Sequence, residues 1–408
     1  MRIAKEGRAL GHLTYCTNIH AGEAWPDVKA SLSEHLPLIK AATTPAAPLA
    51  IGLRIAASAA EALSDAAALT ELKTLLGEDY YVFTINGFPY GAFHGQPVKD
   101  GAYKPDWSTP ERLHYSNQLG HILAALLPEG MAGTISTVPV TFKPWLDAMT
   151  PMQARSHVLA CVKNLLAHAA ELWRIRQSTG ATVTLALEPE PFCLLETISE
   201  TVRFFNEELF GESAVSVFSA LSGLGEAQAK AALRTHLGVC YDVCHAAVEF
   251  EDAAASVNAL QNAGIDISKV QLSSALKVQK IDAPSALALS AFDEPVYLHQ
   301  TIQRNLSGIT RFADLRAALD SLPRASGSEW RSHFHVPIFL ERMEGFDTTQ
   351  DFLREILALH AREPFTEQLE VETYTWDVLP EQYRGVPVSE AIARELNWVC
   401  TELAVEAQ

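Results

Sequence analysis

The chain has 408 residues, 48% of them hydrophobic, a formal net charge of −18 and a mean hydropathy of +0.05. This composition excludes an intrinsically disordered chain, and the acidic balance argues against nucleic acid or an anionic membrane surface as a partner. No apolar run approaches the roughly 18 residues needed to span a bilayer, because the stretch LAIGLRIAASAAEAL is broken by Arg54 and Glu61.

In chain order, β-like runs alternate with helical periodicity. LTYCTN at 13–18 precedes a helical pattern over 27–41, and APLAIGLRI at 47–55 precedes one over 57–76. DYYVFTING at 79–87 is followed by 108–127, and AGTISTVPV at 132–140 by 151–178. TVTLALEPE at 182–190 leads to 196–208, and LGVCYDVC at 237–244 to 251–263. ISKVQLSS at 267–274 and QLEVETYTW at 368–376 pair with 347–361 and 387–403. Eight strands each followed by a helix predict an α/β fold, the (β/α)8 TIM barrel. Two segments exceed the simple count: the Gly/Pro/aromatic loop 88–107 after the third strand, and an insertion at 276–346 after the seventh, with a strand-like HFHVPIF at 333–339. Both follow carboxyl ends of strands, where barrel active sites are built, so both are expected to cover that face. No linker or repeat divides the chain, which reads as one domain over 1–408.

Alternation within the later strands selects candidate site residues. Strand side chains leave on opposite faces in turn. In TVTLALEPE, Val183, Leu185 and Leu187 oppose Thr184, Ala186 and Glu188; in VCYDVC, Val239, Tyr241 and Val243 oppose Cys240, Asp242 and Cys244. In KVQLSS, Val270 and Leu272 oppose Gln271 and Ser273; in QLEVETYTW, Leu369 and Val371 oppose Glu370, Glu372 and Tyr374. Aliphatic residues belong under the helices, so Glu188, Asp242, Gln271 and Glu372 point to the lumen near the carboxyl ends of their strands. Converging carboxylates raise one another's pKa unless a cation neutralises them, which predicts a divalent metal. Oxygen ligands suit Mn²⁺ or Mg²⁺, and an added imidazole favours Zn²⁺ or Co²⁺. The bland alternative is ion pairing with Arg54, Lys143 or Lys277. Cys240 and Cys244 read as small lumen fillers.

These residues resemble the metal site of the xylose isomerase-like TIM barrels, which include sugar and sugar-phosphate isomerases and epimerases. Their common site takes a Glu after strand five, an Asp after six, a His after seven and a Glu after eight. Glu188 in LALEPEP, Asp242 in CYDVCH and Glu372 in LEVETYTW match three of these, and Asp242–His245 matches the D-x-x-H of such epimerases. Gln271 stands where the histidine is usual and would ligate more weakly. His335 in HFHVPIF, between strands seven and eight, could supply that nitrogen. The motifs HLTYCTNIHAGEAW, PYGAFHGQPVKDGAYKPDWSTPERLHY, GTISTVPV, HFHVPIF and VETYTW resemble the metabolite traffic protein EboE family. Those are bacterial barrels encoded with a sugar-phosphate-cyclase-like enzyme and a prenyltransferase-like protein. This resemblance implies a sugar- or cyclitol-like ligand in a secondary-metabolite pathway.

Carried over, Glu188 and Glu372 become an acid/base pair as well as ligands, Asp242 a ligand, and His245 an orienting residue or substrate contact. Tyr15, Asn18, His20, Asn86, Phe88, Tyr90 and Trp376 suit a pocket that hydrogen-bonds hydroxyls and stacks on an apolar ring face. The sequence thus predicts a metal-dependent isomerase or epimerase of a small polyol or cyclitol, with an inosose-type dehydratase or a non-catalytic carrier of a pathway intermediate as alternatives. A barrel endonuclease would need a basic face. No P-loop or GxGxxG fingerprint appears, so no nucleotide cofactor is expected. The start MRIAKEGRALGHLTYC lacks an apolar signal region and the six cysteines are scattered, which points to the cytoplasm. A homo-oligomer is compatible with the sequence, which does not fix the oligomeric state.

Overall fold

A computed structural model describes residues 1–322 and 327–407, with backbone only for 406–407. Eight strands run parallel: Arg8–Tyr15 (β1), Leu49–Arg54 (β2), Tyr80–Asn86 (β3), Gly133–Thr137 (β4), Val183–Leu187 (β5), Leu237–Asp242 (β6), Ile267–Leu272 (β7) and Gln368–Val371 (β8). Neighbours pair in the order β1-β8-β7-β6-β5-β4-β3-β2, and a Cys16–Gly52 bridge closes the ring. The chain is therefore an α/β protein with a TIM barrel, and the eight expected strands are its staves. Arg2–Lys5 and Glu406–Ala407 extend the sheet antiparallel outside β1.

The β1–β2 seam differs from the others. Where the other neighbours share ladders, this one has a single bridge, supplemented by hydroxyls: Thr14 Oγ1 donates to the Ala50 carbonyl at 2.7 Å, and the Arg54 amide donates to Thr17 Oγ1 at 2.8 Å.

Helices cover the outside, placed where periodicity predicts them and ended by local chemistry. Pro151–Thr179 starts in a Thr150/Gln153 capping box and stops at Gly180, whose φ of 80° suits a residue without Cβ. The pattern at 57–76 breaks into Ala57–Leu63 and Ala66–Leu76 because Asp65 caps the second helix. Glu212–Ser222 and Glu226–His236 are two further helices between β5 and β6, beyond the expected set.

Aliphatic residues of the strands lie under the helices, and the lumen is polar, as alternation implied. Lys269 of β7 is fully buried, 2.7 Å from Glu370 of β8, and its Nζ donates to Thr84 Oγ1 of β3 at 2.9 Å. This ion pair fills the layer beneath the carboxyl-terminal mouth. Removing one partner of a buried pair leaves an uncompensated charge, whereas replacing both with apolar groups need not destabilise.

The insertion holds more structure than expected. Leu276–Val278, Thr301–Asn305, Gly308–Phe312, Glu329–Ser332, Arg342–Met343 and Phe346–Thr348 form a six-stranded antiparallel sheet. HFHVPIF itself is not a strand: the strand ends at Ser332, 333–337 has no ladder partner, and 338–339 is a turn closed by the Leu340 amide on the Pro337 carbonyl. The His333 amide donates to the Gln300 carbonyl and the Val336 amide to the Ser274 carbonyl. Among the described residues no helix is long and apolar enough to cross a membrane.

Lys269→Met is expected to lower unfolding free energy by about 3–5 kcal/mol, and adding Glu370→Leu to recover most of that loss. Denaturant titration checks both; a single variant as stable as the parent would refute the pairing.

Candidate active site

The centre of the site forms where β5, β6 and β8 end. Glu188 follows β5 and its amide donates to the Thr137 carbonyl of the next stave. Glu372 follows β8, held by a bond from its amide to the Leu272 carbonyl. Asp242 is the last residue of β6 and the N-cap of helix Val243–Val248. The sequence reading carried the strand to Cys244. The chain turns helical sooner because Asp242 Oδ1 accepts the His245 amide at 2.9 Å and the Ser273 hydroxyl at 2.9 Å. The D-x-x-H spacing is thus the geometry of a capped helix, and it leaves Oδ2 with no hydrogen-bond partner. Cys240 and Cys244 are fully buried and, contrary to the parity reading, belong to different elements.

Glu188, Asp242 and Glu372 each place an oxygen within 4.8 Å of the others. All three are buried, and Glu188 Oε2 also has no hydrogen-bond partner. Burial first, then the neighbouring carboxylates, hold the Glu188 and Glu372 carboxyls well above the usual carboxylate range. Asn18 and Asn86 oppose this for Glu372, donating from their Nδ2 atoms to Oε1 at 2.7 and 2.8 Å. Both line the cavity, as expected for substrate contacts, but their donors are committed to Glu372. Only the Asn18 Oδ1 remains without a partner.

His335 reaches the same point from the insertion. Its Nδ1 lies 2.8 Å from the Glu372 carbonyl oxygen, which can only accept, so the proton sits on Nδ1. Nε2 is then a lone pair, 3.8 Å from Asp242 Oδ2 and without a hydrogen bond. An imidazole whose far N–H is anchored on a backbone carbonyl is the usual arrangement of a metal-bound histidine. Gln271 is fully buried, in register with Asp242 and Glu370, and neither atom of its amide finds a partner. The oxygens of the three carboxylates with His335 Nε2 therefore form a donor set that fits a divalent ion, and the orphaned lone pairs of Glu188 Oε2, Asp242 Oδ2 and His335 Nε2 are ones such an ion would satisfy.

Above these groups is a cavity of about 60 Å³, partly open to solvent, narrower than the roughly 300–1,000 Å³ of typical small-molecule sites. Glu188, Glu372, His245 and His335 line it, with Phe88, Phe93 and Tyr103 from loop 88–107 and Tyr297 and His333 from the insertion. Loop and insertion touch each other over the mouth: the Val98 and Lys99 amides donate to the Val296 carbonyl, and the Tyr297 hydroxyl to the Phe93 carbonyl.

Four expected substrate contacts lie elsewhere. Tyr15 is buried with its hydroxyl 3.2 Å from His20 Nε2, and His20 stacks on His35 at 4.2 Å, so both serve the wall between β1 and its helix. Tyr90 packs edge-on against Tyr115, and Trp376 is buried in a turn beyond Tyr374; neither lines the cavity. Tyr103, Glu190, His333 and Tyr374 line it without having been singled out. Glu190 shares the parity of Glu188, His333 that of His335 and Tyr374 that of Glu372, a signal present in the sequence. Burial pushes the Glu190 carboxyl up to about 8, offset in part by hydrogen bonds from Tyr103 and Gln300.

Fold and site together define a TIM barrel with a buried carboxylate–imidazole cluster at its carboxyl-terminal mouth. No protein-family model matches the sequence, and no curated protein matches it. Among solved structures the chain is similar to a crystal structure of "IOLI protein with a binding zinc atom", at 12% identity and a TM-score of 0.43, covering 96% of this chain and 97% of that one. A likeness that distant carries no argument, so the barrel rests on its own strand order. The motif resemblance to the EboE family gains no support from these comparisons.

Metal uptake here should depend on pH. Glu188 and Glu372 hold protons above the usual range and must shed them to ligate, so affinity should rise with pH and fall as pH drops from 8 to 6. Each displaced proton contributes up to about tenfold per pH unit. Isothermal titration with Mn²⁺ and Zn²⁺ across that range measures the slope; a flat profile would remove these carboxylates from the ligand set.

Proposed function

We propose that the protein is a metal-dependent isomerase or epimerase of a sugar-like or cyclitol substrate, free or phosphorylated, within the xylose isomerase-like superfamily. The observation that carries this reading is that Glu188 Oε2, Asp242 Oδ2 and His335 Nε2 are all buried and unpartnered, and that Asp242 belongs to a close group with Glu188 and Glu372 and to another with His335. Glu188, Asp242, Glu372 and His335 would hold a Mn²⁺, Mg²⁺, Co²⁺ or Zn²⁺ ion, with Gln271 a weaker neutral donor beside them. When bound, such an ion would polarise a substrate carbonyl and stabilise the negative charge developing on its oxygen.

The chain's own residues would do the rest. Moving a carbonyl along a polyol, or inverting a carbon beside it, begins with removal of a proton from that carbon. Glu188 and Glu372 flank the chamber as the pair that would take the proton and return it, their raised proton affinity suiting transfer near neutral pH. Asn18 and Asn86 hold Glu372 Oε1, which leaves Oε2 as its reacting oxygen. His245 donates from Nδ1 to the Pro189 carbonyl at 2.9 Å, which fixes its ring at the cavity wall with Nε2 turned to His333, and it would serve there as an orienting residue. Phe88, Phe93, Tyr297 and Tyr374 offer apolar ring faces to a sugar ring.

We read the whole chain as one domain in which loop 88–107 and the insertion act as the cover. A cytoplasmic location is proposed from the cysteines, all six of which are free. The EboE resemblance fits the same substrate class and would place the reaction in a secondary-metabolite pathway.

A panel of ketoses and cyclitol ketones, incubated in D₂O with metal-loaded protein and followed by proton NMR, tests the reading. Deuterium should enter at the carbon beside a carbonyl. Glu372→Gln keeps size and a ligating oxygen but not the proton acceptor, so metal should still bind while exchange falls by about 10²–10⁴-fold. Wild-type exchange in that variant would make Glu372 a scaffold only. Loss of water from a substrate would favour the dehydratase, and binding without any exchange the carrier.

A further inference from the structure

A second group of metal-ligating side chains faces the same cavity, and the reading above leaves its geometry unexplained. His245 Nε2 and His333 Nε2 are 3.1 Å apart, a distance that normally means a shared proton. The other nitrogen of each ring already carries a proton, so a shared one would make one ring a doubly protonated imidazolium, which burial of both rings disfavours. His245 Nδ1 is 2.9 Å from the Pro189 carbonyl oxygen, which can only accept, so its hydrogen is on Nδ1. His333 Nδ1 is 2.8 Å from Gln300 Oε1. The orientation of that amide is fixed in turn, because Gln300 Nε2 lies against the Pro191 carbonyl at 3.2 Å and Glu190 Oε1 at 3.3 Å, both acceptors. Both rings are therefore neutral Nδ1–H tautomers whose Nε2 lone pairs confront each other in a buried site. The Tyr374 hydroxyl, 3.4 Å from His333 Nε2, is the one other polar group recorded at this pair among the described residues, and it reaches only one of the two nitrogens.

We propose that this pair is a second divalent-cation site, selective for zinc-like ions, with Glu190 as its third protein ligand. Two nitrogens bound at about 2.0–2.1 Å with a tetrahedral angle between them stand about 3.3 Å apart, close to the separation here. Glu190, His245 and His333 each bring a ligand atom within 4.8 Å of the others, and all three are buried. Tyr103 and Gln300 both donate to Glu190 Oε1 and so orient the carboxylate. An imidazole-rich set favours Zn²⁺ or Co²⁺, whereas the carboxylate-rich centre beside it also suits Mn²⁺ or Mg²⁺. Charge points the same way. Glu188, Glu372 and Glu190 line the cavity and Asp242 adjoins the first two, and one divalent ion would offset only half of the full charge of these four groups. Asp242, His245 and His335 also place ligand atoms within 4.8 Å of one another, so the two centres adjoin. Two adjacent cations could hold neighbouring oxygens of a polyol, a carbonyl and the hydroxyl next to it. The second site does not require the first to be filled.

Anomalous diffraction at the zinc edge, from the full chain crystallised with Zn²⁺, reads both sites without any variant. Two peaks are expected, one among Glu188, Asp242 and Glu372 and one between His245 Nε2 and His333 Nε2. In solution, zinc content should be about two per chain and fall to about one in His333→Ala. Zinc at the carboxylates alone, at neither place, or a proton found between the two Nε2 atoms by ¹⁵N NMR of the zinc-treated protein would overturn the proposal. Zinc at the histidines alone would uphold it and would instead remove the carboxylate centre on which the proposed function rests.

Discussion

Three carboxyl groups held within 4.8 Å of one another, away from water, dominate the energetics of this molecule. Desolvation and mutual repulsion act in the same direction, against the charged forms. The nearby buried lysine, Lys269, is already paired with Glu370 one layer down and screens the cluster only from below. What surrounds the cluster is compensation. Asn18 and Asn86 neutralise part of Glu372, and Ser273 with the first turn of helix Val243–Val248 neutralises part of Asp242. Glu188 Oε2 and Asp242 Oδ2 remain buried without a hydrogen-bond partner. A fold that only needed these positions filled would use apolar residues, so the arrangement reads as a site maintained against its own electrostatic cost.

The insertion is integral to that site. It returns His335 and His333 to the barrel mouth on a stretch with no ladder partner, pinned at both ends by main-chain bonds to Gln300 and Ser274. An irregular segment of this kind can turn two side chains, at i and i+2, toward one cavity, while Phe334 between them anchors the opposite face among Phe292 and His299. The alternation of a strand survives here without the strand, and it sorts cavity-lining histidines from core.

Alternation is also why so much was legible in the sequence. In TVTLALE and QLEVE every second residue is aliphatic, which places Glu188 and Glu372, each one step further along, in the lumen whatever the exact strand ends. The same rule cannot see where pairing stops. It carried β6 to Cys244, although Asp242 ends the strand by capping a helix, and it made a strand of HFHVPIF. It equally cannot know that His335, more than sixty residues beyond Gln271, stands beside the carboxylates near that glutamine. Tyr15 and His20 were misplaced for a related reason. Polar tips on aromatic bodies suit a pocket wall and a packed interface alike, and only three-dimensional neighbours such as His35 decide between them.

The seam between β1 and β2 carries a consequence of a different kind. In a ladder, the bonds belong to the backbone and survive almost any change of side chain. Here the barrel is closed by one backbone bridge together with Thr14 and Thr17, whose hydroxyls take the place of absent main-chain partners. Valine, nearly identical in shape, would fit both positions and leave the bridge alone to hold the seam. The freedom to vary that a sheet ordinarily grants its sequence is therefore suspended along this one line. Asn18, which donates to Glu372, is next to Thr17 in the chain, so drift at two threonines would be felt at that buried carboxyl before it was felt in the fold.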